Sequence, residues 1–564
     1  MRYFLFILLF WVSQSFAQNW DDFENFSKLL HYQNNKSLVV SKDFFMHKNG
    51  NTDILSEINA LKQGYFKPTS LADKHPRCIF PDRYFWLSKQ IKLKNYEVYP
   101  KFCKKLTKWS LDNPTKSISI LLVGGYFSNP ASVFGHNLLK LNSGKDSLFD
   151  LTLNFGARIP KNENTISYIL KGLFGGYSAV FSSGYFYKKD LVYSKHELRD
   201  IWEYKLNLNN NEKTLIKLHI WSIQNKKFDY YFLKENCAYQ IASILDIVMD
   251  MNLPQYRPWY IPNEIASQLY AQNNRIKRID YKPSFEKNML NRFKKLTPQE
   301  ALLAKKIIKK NSDFLIKTAN TRTLDALLEY YKYKAIDTNS IEFLNKKYKI
   351  ILARLKKPVQ KYNNTTSNNP APHKYPKLSK LELSFDSDNN LYGEFSIFNN
   401  SFLGKHNLLN SELITPRIQF VRNNNNIFFH SFDLLKVKKL NKNITNFPEY
   451  KFSWEAQVGL SRIDNRIKPT AIAGIGGNVY TNDNNEIYIF NSLLLNHSQS
   501  EISPQISINL INNYFGKSLF KYGIDIKNGA HFYKYKIQKQ INNNISIFFE
   551  KNNINSSLGV GFYF

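Results

Sequence analysis

The hydrophobic pattern of the chain changes its period near residue 377. Beyond this point apolar and polar residues alternate one by one, as in "KLELSF", "YKFSWEAQVGL" and "SSLGVGFYF". A period of two places every second side chain on the same face of a β-strand. Turns rich in Asn, Asp, Gly and Lys separate about ten to twelve such segments, each of about ten residues. The pattern predicts an antiparallel β-barrel over residues 377–564.

The barrel is predicted to be of the outer-membrane type. Strands of such barrels alternate between a lipid-facing apolar position and an inward position. The chain also ends on Phe564, an aromatic end that resembles the terminal residue of bacterial outer-membrane barrels. The alternative is a soluble β-sandwich, which would show the same alternation.

The preceding part of the chain shows helical and mixed patterns. Residues 18–116 are predicted to form a mainly helical N-terminal module, and in residues 117–273 strands alternate with helices. Residues 274–356 are predicted to be helical, and Thr297 to Glu300 fit a capping box with proline at the first helical position. A polar, proline-containing linker over residues 357–376 then leads into the barrel.

The first residues are typical of a signal peptide. Met1 and Arg2 are followed by the apolar run "YFLFILLFWV" and by "SQSFAQ". The run is too short for a comfortable membrane span of about 20 residues, and small residues precede Gln18. We therefore expect residues 1–17 to be a cleaved signal peptide, an outer-membrane location for the barrel, and a periplasmic location for the preceding domains.

Composition adds a weaker indication. At 564 residues and 43% hydrophobic content, the chain is long enough for about three or four domains. Its net charge of +33 points to anionic neighbours such as the lipids of the outer membrane. Nucleic acid is excluded as a partner by export. The alternative is that the Lys-rich composition only decorates solvated surface.

Three cysteines leave one without a partner. Cys78 and Cys103 are close in the sequence and are predicted to form a structural disulfide in an oxidising compartment. Cys237 remains as a lone thiol, which in an exported protein is either deeply buried or used chemically.

Cys237 is predicted to start a helix. Asn236 before it is a suitable N-cap, and apolar residues recur after it at helical spacing. Unpaired N–H groups and the helix dipole favour a thiolate at such a position and could hold an oxyanion. The alternative is a small buried hydrophobic residue.

His136 is predicted to begin a strand whose hairpin partner carries an amide. If the turn is centred near Lys145, His136 faces Asn154, and an amide beside an imidazole fixes its orientation. Thr152 and Asp150 remain alternatives for this third residue, because boundaries taken from sequence shift by about two to four residues. A satisfied structural histidine is the alternative role of His136.

A resemblance supports the pairing of this histidine with the thiol. The segments "YFSNPASVFGHNLLKL", "LNFGA", "KGLFGGY", "ELRDIWEYKLNL" and "FDYYFLKENCAYQIASIL" resemble the successive motifs of the DUF4105 family, the Lnb N-terminal periplasmic domain. The family is similar to permuted papain-like enzymes of the NlpC/P60 type, in which the histidine strand precedes the cysteine helix. The usual "ENCSY" reads "ENCAY" here, which keeps the thiol and removes one hydroxyl.

The resemblance implies acyl transfer through a thioester. The predicted fold is therefore a multidomain chain with an α+β, permuted papain-like catalytic domain between helical segments, followed by a transmembrane barrel. The predicted function is a thiol acyltransferase or acyl hydrolase that uses Cys237, His136 and Asn154 on a phospholipid or lipoprotein substrate. The alternatives are a peptidoglycan amidase and a non-catalytic binding protein. No metal-ligand spacing is present among the eleven histidines, so no cofactor is predicted.

Overall fold

The computed structural model describes residues 23–126, 132–160, 162–310, 312–338, 341–359, 371–403, 411–424, 426–444, 446–463, 465–482, 484–496, 501–513, 517–527 and 529–564. The predicted signal peptide and residues 360–370 of the predicted linker lie outside these ranges. The chain divides into two compact units, one extending to Ser194 and including Asp200–Lys282, the other formed by Lys195–Arg199 and Pro283–Phe564.

The N-terminal part of the first unit is mainly helical. Residues 23–29 are helical and precede a small hairpin, 3-10 turns and four helices. These are β1 Tyr32–Gln33, β2 Lys36–Ser37, the turns Lys42–Phe44 and Thr69–Lys74, and the helices α1 Ile54–Tyr65, α2 Pro76–Ile79, α3 Pro81–Gln90 and α4 Lys104–Asp112. The disulfide between Cys78 and Cys103 is present, with a Cα–Cα distance of 5.2 Å, and ties α2 to the start of α4.

The rest of the first unit is built on a sheet of seven strands within the described residues. They are β3 Ser117–Val123, β4 His136–Asn142, β5 Leu151–Ala157, β6 Tyr177–Tyr185, β7 Ile201–Leu206, β8 Lys227–Tyr230 and β9 Ile276–Lys282. Their order is β8-β6-β5-β4-β3-β7-β9, and every neighbouring pair is antiparallel. The helices are α5 Thr165–Phe174, α6 Phe186–Asp190, α7 Asn210–Ile223, α8 Cys237–Asp246 and α9 Pro262–Ala271, with a 3-10 turn at Ser147–Phe149 and a π-helical turn at Leu191–His196.

Helix α8 is the central helix of this unit. It packs against β4 and β5 on one side and against α7 and α9 on others. The sequence predicts one apolar face containing Ile241, Ile244 and Leu245; these three are fully buried, and so is most of the rest of the helix. A helix enclosed all round is held rigidly, because every face has neighbours.

The predicted start of the helical segment at residue 274 is wrong. Ile276–Lys282 is instead strand β9, which pairs with the side of β7 that faces away from β3, for example Tyr281 opposite Trp202. The open N–H and C=O groups of an edge strand need partners. This pairing joins residues that are far apart in the sequence, so the local pattern did not indicate it.

The second unit begins with five helices among the described residues. These are α10 Phe285–Lys294, α11 Pro298–Lys310, α12 Asp313–Thr318, α13 Thr321–Thr338 and α14 Ile341–Leu355. The predicted capping box is confirmed, because the N–H of Thr297 donates to the Glu300 carboxylate at 2.8 Å and the N–H of Glu300 donates to Oγ1 of Thr297 at 3.3 Å. Within the described ranges, no helix is both long and apolar enough to cross a membrane.

The barrel is closed and antiparallel, which confirms the predicted architecture and rules out the sandwich. Twelve strands form it in the described residues, and β10 pairs with β21 to close the ring. They are β10 Lys380–Asp386, β11 Leu391–Asn400, β12 Ser411–Asn423, β13 Asn426–Lys439, β14 Ser453–Ile463, β15 Arg466–Thr481, β16 Asn485–Asn496, β17 Glu501–Asn512, β18 Lys517–Asp525, β19 His531–Gln540, β20 Ile545–Asn552 and β21 Ser556–Tyr563.

The two faces of the barrel wall differ in polarity. On β10, Leu383 and Phe385 are exposed on the outer face, whereas Lys380 and Glu382 are buried on the inner face. Apolar residues outside and polar residues inside are the arrangement of an outer-membrane barrel.

The loop between β13 and β14 connects the barrel to the helices of the same unit. Phe447 of this loop packs in the helical core with Phe293 and Tyr330. The side-chain amide of Asn446 donates to the carbonyls of Phe293 and Leu296 at 3.3 Å and 2.8 Å. The helical core of this unit is therefore completed by a barrel loop.

Candidate active site

Cys237 is the first residue of α8 and is buried, with 3% of its surface exposed. The predicted N-cap is confirmed, because Oδ1 of Asn236 accepts hydrogen bonds from the N–H groups of Ala238 at 2.9 Å and Tyr239 at 3.1 Å. Two of the four N–H groups left open at a helix start are thereby satisfied.

The other end of the Asn236 side chain fixes the helix to its surroundings. Its Nδ2 donates to the carbonyls of Phe232 at 3.1 Å, Leu233 at 3.3 Å and Tyr260 at 2.7 Å. One buried amide therefore joins the helix start to the segment before it and to the segment before α9. The position of the Cys237 thiol is set by this clamp.

His136 is the first residue of β4 and bonds to Asn154 on β5. Its Nε2 lies 2.6 Å from Oδ1 of Asn154. The predicted register is wrong by two residues, because Asn154 pairs with Leu138 rather than with His136. A shift of two keeps both side chains on the same face of the sheet, and they meet along a diagonal.

The two alternative third residues are engaged elsewhere. Oγ1 of Thr152 donates to the carbonyl of Gly184 at 2.7 Å. The Asp150 carboxylate accepts from the N–H and the hydroxyl of Ser143, at 2.8 Å and 2.6 Å. Both therefore stabilise the hairpin and its turn.

Tyrosines lie near both the thiol and the histidine. Burial raises the pKa of Tyr230 well above its usual value, and the neighbouring Cys237, Tyr168 and Tyr193 raise it further. The ring of Tyr193 in turn lies 5.8 Å from the ring of His136, centroid to centroid. Helix α8, which carries the thiol, also packs on the two strands that carry His136 and Asn154.

The sequence pattern did not indicate that these tyrosines lie near the predicted site. Tyr230 occupies an inward position in the alternating strand β8 of "FDYYFLKENC", so its burial was open to prediction. The short distance between Tyr230 and the thiol depends on tertiary packing and could not be predicted from the sequence.

The glycines of "GLFGGY" permit a close approach and a turn. A Cβ on Gly172 would lie 2.2 Å from the Phe232 ring, and the Phe232 N–H donates to the Gly172 carbonyl at 2.7 Å. Gly175 has a φ of +88°, which glycine adopts at little cost. The segment leading to Cys237 therefore rests directly on the backbone of α5.

A second polar cluster lies behind the site, between the N-terminal helical part and helices α7 and α8. His31 contacts Ser243 Oγ through Nδ1 at 3.1 Å and His219 Nε2 through Nε2 at 3.0 Å. His219 Nδ1 lies 2.7 Å from Asp82 Oδ2. All four residues are buried, so the cluster joins elements of the fold and does not face solvent.

Metal-binding geometry is not found in the described part of the chain: it contains no group of three or more His, Cys, Asp or Glu side chains that could hold a metal ion.

Comparison with known families identifies two segments. Residues 105–268 match the Lnb N-terminal periplasmic domain, which confirms the resemblance predicted from the motifs. Residues 18–90 match a domain of unknown function, DUF7843. No curated protein sequence matches the chain.

Solved structures that are similar to part of the chain include a porin and two outer-membrane proteins. The KdgM porin is 11% identical with a TM-score of 0.22, and the match covers 33% of this chain and 98% of the porin. Omp33 of Acinetobacter baumannii is 10% identical with a TM-score of 0.18, covering 34% and 99%. A loop-deletion variant of OmpT of Vibrio cholerae is 10% identical with a TM-score of 0.17, covering 34% and 98%.

Proposed function

We propose that this outer-membrane-associated protein, which carries an Lnb N-terminal periplasmic domain and a closed barrel, is a cysteine-dependent acyltransferase or acyl hydrolase. The observation that carries the proposal is the His136–Asn154 hydrogen bond on the strands against which the Cys237 helix packs. A thiol at a helix start, an imidazole and an amide that orients it are the parts of a Cys-His-Asn site.

The first half-reaction forms a thioester. With Nε2–H of His136 donated to Asn154, Nδ1 is the nitrogen that takes the proton of the Cys237 thiol. The thiolate attacks the carbonyl carbon of an acyl ester, a sulfur–carbon bond forms, and the ester carbon–oxygen bond breaks. His136 returns the proton to the alcohol that leaves.

The oxyanion of this step needs a hydrogen-bond donor. The N–H groups of Ala238 and Tyr239 are engaged by the cap. These two groups are therefore not assigned as the oxyanion donor.

The second half-reaction releases the acyl group. An amine attacks the thioester carbonyl, an amide forms, and the sulfur–carbon bond breaks as Cys237 regains its proton. With water in place of the amine, the product is a free fatty acid. The barrel anchors the protein in a lipid bilayer, which favours a phospholipid acyl chain as donor and a lipoprotein amino terminus as acceptor.

Mass spectrometry of the full-length protein tests the proposal. After incubation with labelled phospholipid vesicles, we expect an acyl adduct on Cys237 that hydroxylamine removes, and transfer of the label when a lipopeptide with a free amino terminus is added. The adduct is lost in Cys237→Ala and retained in the matched variant Thr152→Val, which changes a strand residue whose hydroxyl bonds to Gly184 and not to His136.

Two experimental results would each favour an alternative function over the proposed one. Release of peptides from purified cell-wall fragments without fatty acylation identifies a peptidoglycan amidase that uses the same pair. Full cellular function in both Cys237→Ala and His136→Ala identifies a non-catalytic binding protein.

A further inference from the structure

Six apolar side chains cluster inside one end of the barrel. This end is the one where both barrel termini lie, because Lys380 at the start of β10 pairs with Tyr563 at the end of β21. The cluster, called the plug below, consists of Phe402, Leu440, Tyr488, Phe490, Ile511 and Leu519. Tyr488 and Phe490 are each 0% exposed.

The alternation of β16 shows that the plug points inward. Tyr488 and Phe490 share a strand face with Glu486 and Ser492, which are buried, whereas Ile489 on the opposite face is 39% exposed. The Tyr488 hydroxyl donates to Glu486 at 2.8 Å, and the Ser492 hydroxyl donates to Glu455 of β14 at 2.5 Å. These polar partners belong to the interior and place the two rings there.

A lysine crosses the interior beside the plug. Nζ of Lys438 on β13 lies 2.9 Å from Oδ1 of Asn509 on β17, four strands further round the barrel. The same ammonium lies 2.9 Å from Glu455 Oε2 and 4.3 Å from the centroid of the Phe490 ring. This side chain spans the interior instead of lining it.

The opposite side of the interior is closed in a similar way. Nζ of Lys536 on β19 lies 2.7 Å from Glu382 Oε1 on β10, three strands away across the closing pair. It also lies 3.9 Å from the centroid of the Phe548 ring. Gln538 donates to the Tyr563 hydroxyl at 3.0 Å, so polar side chains continue the closure to the last strand.

The number of strands alone does not determine whether the barrel interior is filled by side chains or holds a channel. Barrels of eight strands are filled by side chains, whereas barrels of sixteen to eighteen strands keep an aqueous channel. In a barrel of twelve strands, the inward-facing side chains determine whether an aqueous channel remains. Here they meet across the interior as apolar contacts and paired charges, and apolar constrictions exclude water and ions.

We infer that the barrel is sealed by the plug at the end of its two termini and serves as a membrane anchor rather than as a diffusion channel. The inference stands apart from the chemistry of Cys237, because none of its residues belongs to the first unit.

Conductance of the full-length protein in planar lipid bilayers tests the inference. The wild type is expected to give no stable current steps in concentrated KCl. Regular steps from the wild type overturn the inference, and this result does not depend on any variant.

A plug variant tests which residues form the seal. Tyr488→Ala combined with Phe490→Ala and Lys438→Ala is expected to conduct, whereas the matched outer-face variant Ile489→Ala is expected to stay silent. Correct folding of both is checked by heat-modifiable migration in electrophoresis. A folded plug variant that stays silent, or conduction in the Ile489→Ala control, overturns the assignment of the seal to these residues. If the plug variant fails to fold, Phe490→Ala alone takes its place under the same criteria.

Discussion

Nε2 of His136 and Oδ1 of Asn154 lie 2.6 Å apart although the two residues are not opposite one another in the strand pair. The hydrogen bond runs diagonally across β4 and β5. It holds the imidazole in one orientation, and in the proposed reaction Nδ1 is the nitrogen that takes the proton of the thiol.

Replacing the orienting amide should change the pH profile. Asn154→Asp places a carboxylate beside His136, which raises the pKa of the imidazole, so the acidic limb of kcat/KM is expected to move to higher pH. Asn154→Ala is expected to lower kcat by about ten- to a hundredfold through loss of orientation. An unchanged profile in Asn154→Asp would contradict the assignment. Acyl-transfer rates measured across the pH range check both.

Cys237 and His136 should act as one unit. Each single alanine variant is expected to remove nearly all acyl transfer, and the double variant is expected to lose less than about tenfold more than either. Rates that fall multiplicatively in the double variant would indicate independent roles. The measurement is single-turnover transfer of a labelled acyl chain.

The Asn236 clamp should affect stability and activity together. Asn236→Ala removes a helix cap, which costs about 1–2 kcal/mol, and leaves three backbone carbonyls without this donor. We expect a lower unfolding midpoint and a strong loss of activity. The matched control is Asn209→Ala, which removes the cap of α7 and should lower stability while leaving the rate of the folded protein unchanged. Equal rates for the two variants would show that the clamp does not position the thiol.

Gly172 should tolerate no side chain. A Cβ at this position meets the Phe232 ring, so Gly172→Ala is expected to destabilise the fold by about 1–3 kcal/mol and to lower activity. Gly184→Ala is the control, because a Cβ there has nothing within 4 Å. Thermal unfolding of the two variants compares them directly. Equal midpoints would contradict the close packing.

Stability should fall in mild acid because of His31. Burial lowers the pKa of His31 well below its ordinary value, and His219 and Arg83 lower it further. Asp82 and Ser243 complete the polar surroundings. Above the ordinary pKa, 6.5, His31 is neutral both folded and unfolded. Below it the unfolded chain binds a proton that the folded chain refuses, so the free energy of unfolding decreases as the pH falls from 6.5 toward the folded pKa.

Urea unfolding followed by tryptophan fluorescence at neutral and mildly acidic pH measures this effect. The difference between the two pH values is expected to shrink in His31→Gln and to persist in His196→Gln, which changes an exposed histidine. A pH dependence that is the same in both variants would rule out His31 as its source.

The sequence indicated those features that depend on local pattern. Leu383 and Phe385 lie on the outer face of the barrel because alternation is a local signal, and Asn236 caps α8 because capping involves neighbouring residues. The hairpin of His136 was predicted on the correct face, but its register was wrong by two. A 3-10 turn at Ser147–Phe149 and a glycine with φ of +80° at Gly144 lengthen the connection, and a turn centre counted from residue types does not reveal this.

Features that depend on contacts between residues far apart in the sequence could not be predicted. Strand β9 pairs with β7 across a long sequence separation, and Tyr230 lies near Cys237 because α8 packs on the sheet. The barrel itself was predicted from the alternation, but the alternation does not show which strands pair, and the closing pair of β10 and β21 joins segments separated by nearly the whole barrel sequence. None of these contacts leaves a local signal.

The loop that carries Asn446 and Phe447 supplies part of the helical core from the barrel. Phe447 fills the core of α10 and α13, and it is held between two strands of the barrel wall. The helices precede the barrel in the chain, yet their core includes a residue that lies between β13 and β14. The packing of these helices and the pairing of β13 with β14 are consequently coupled in the folded protein.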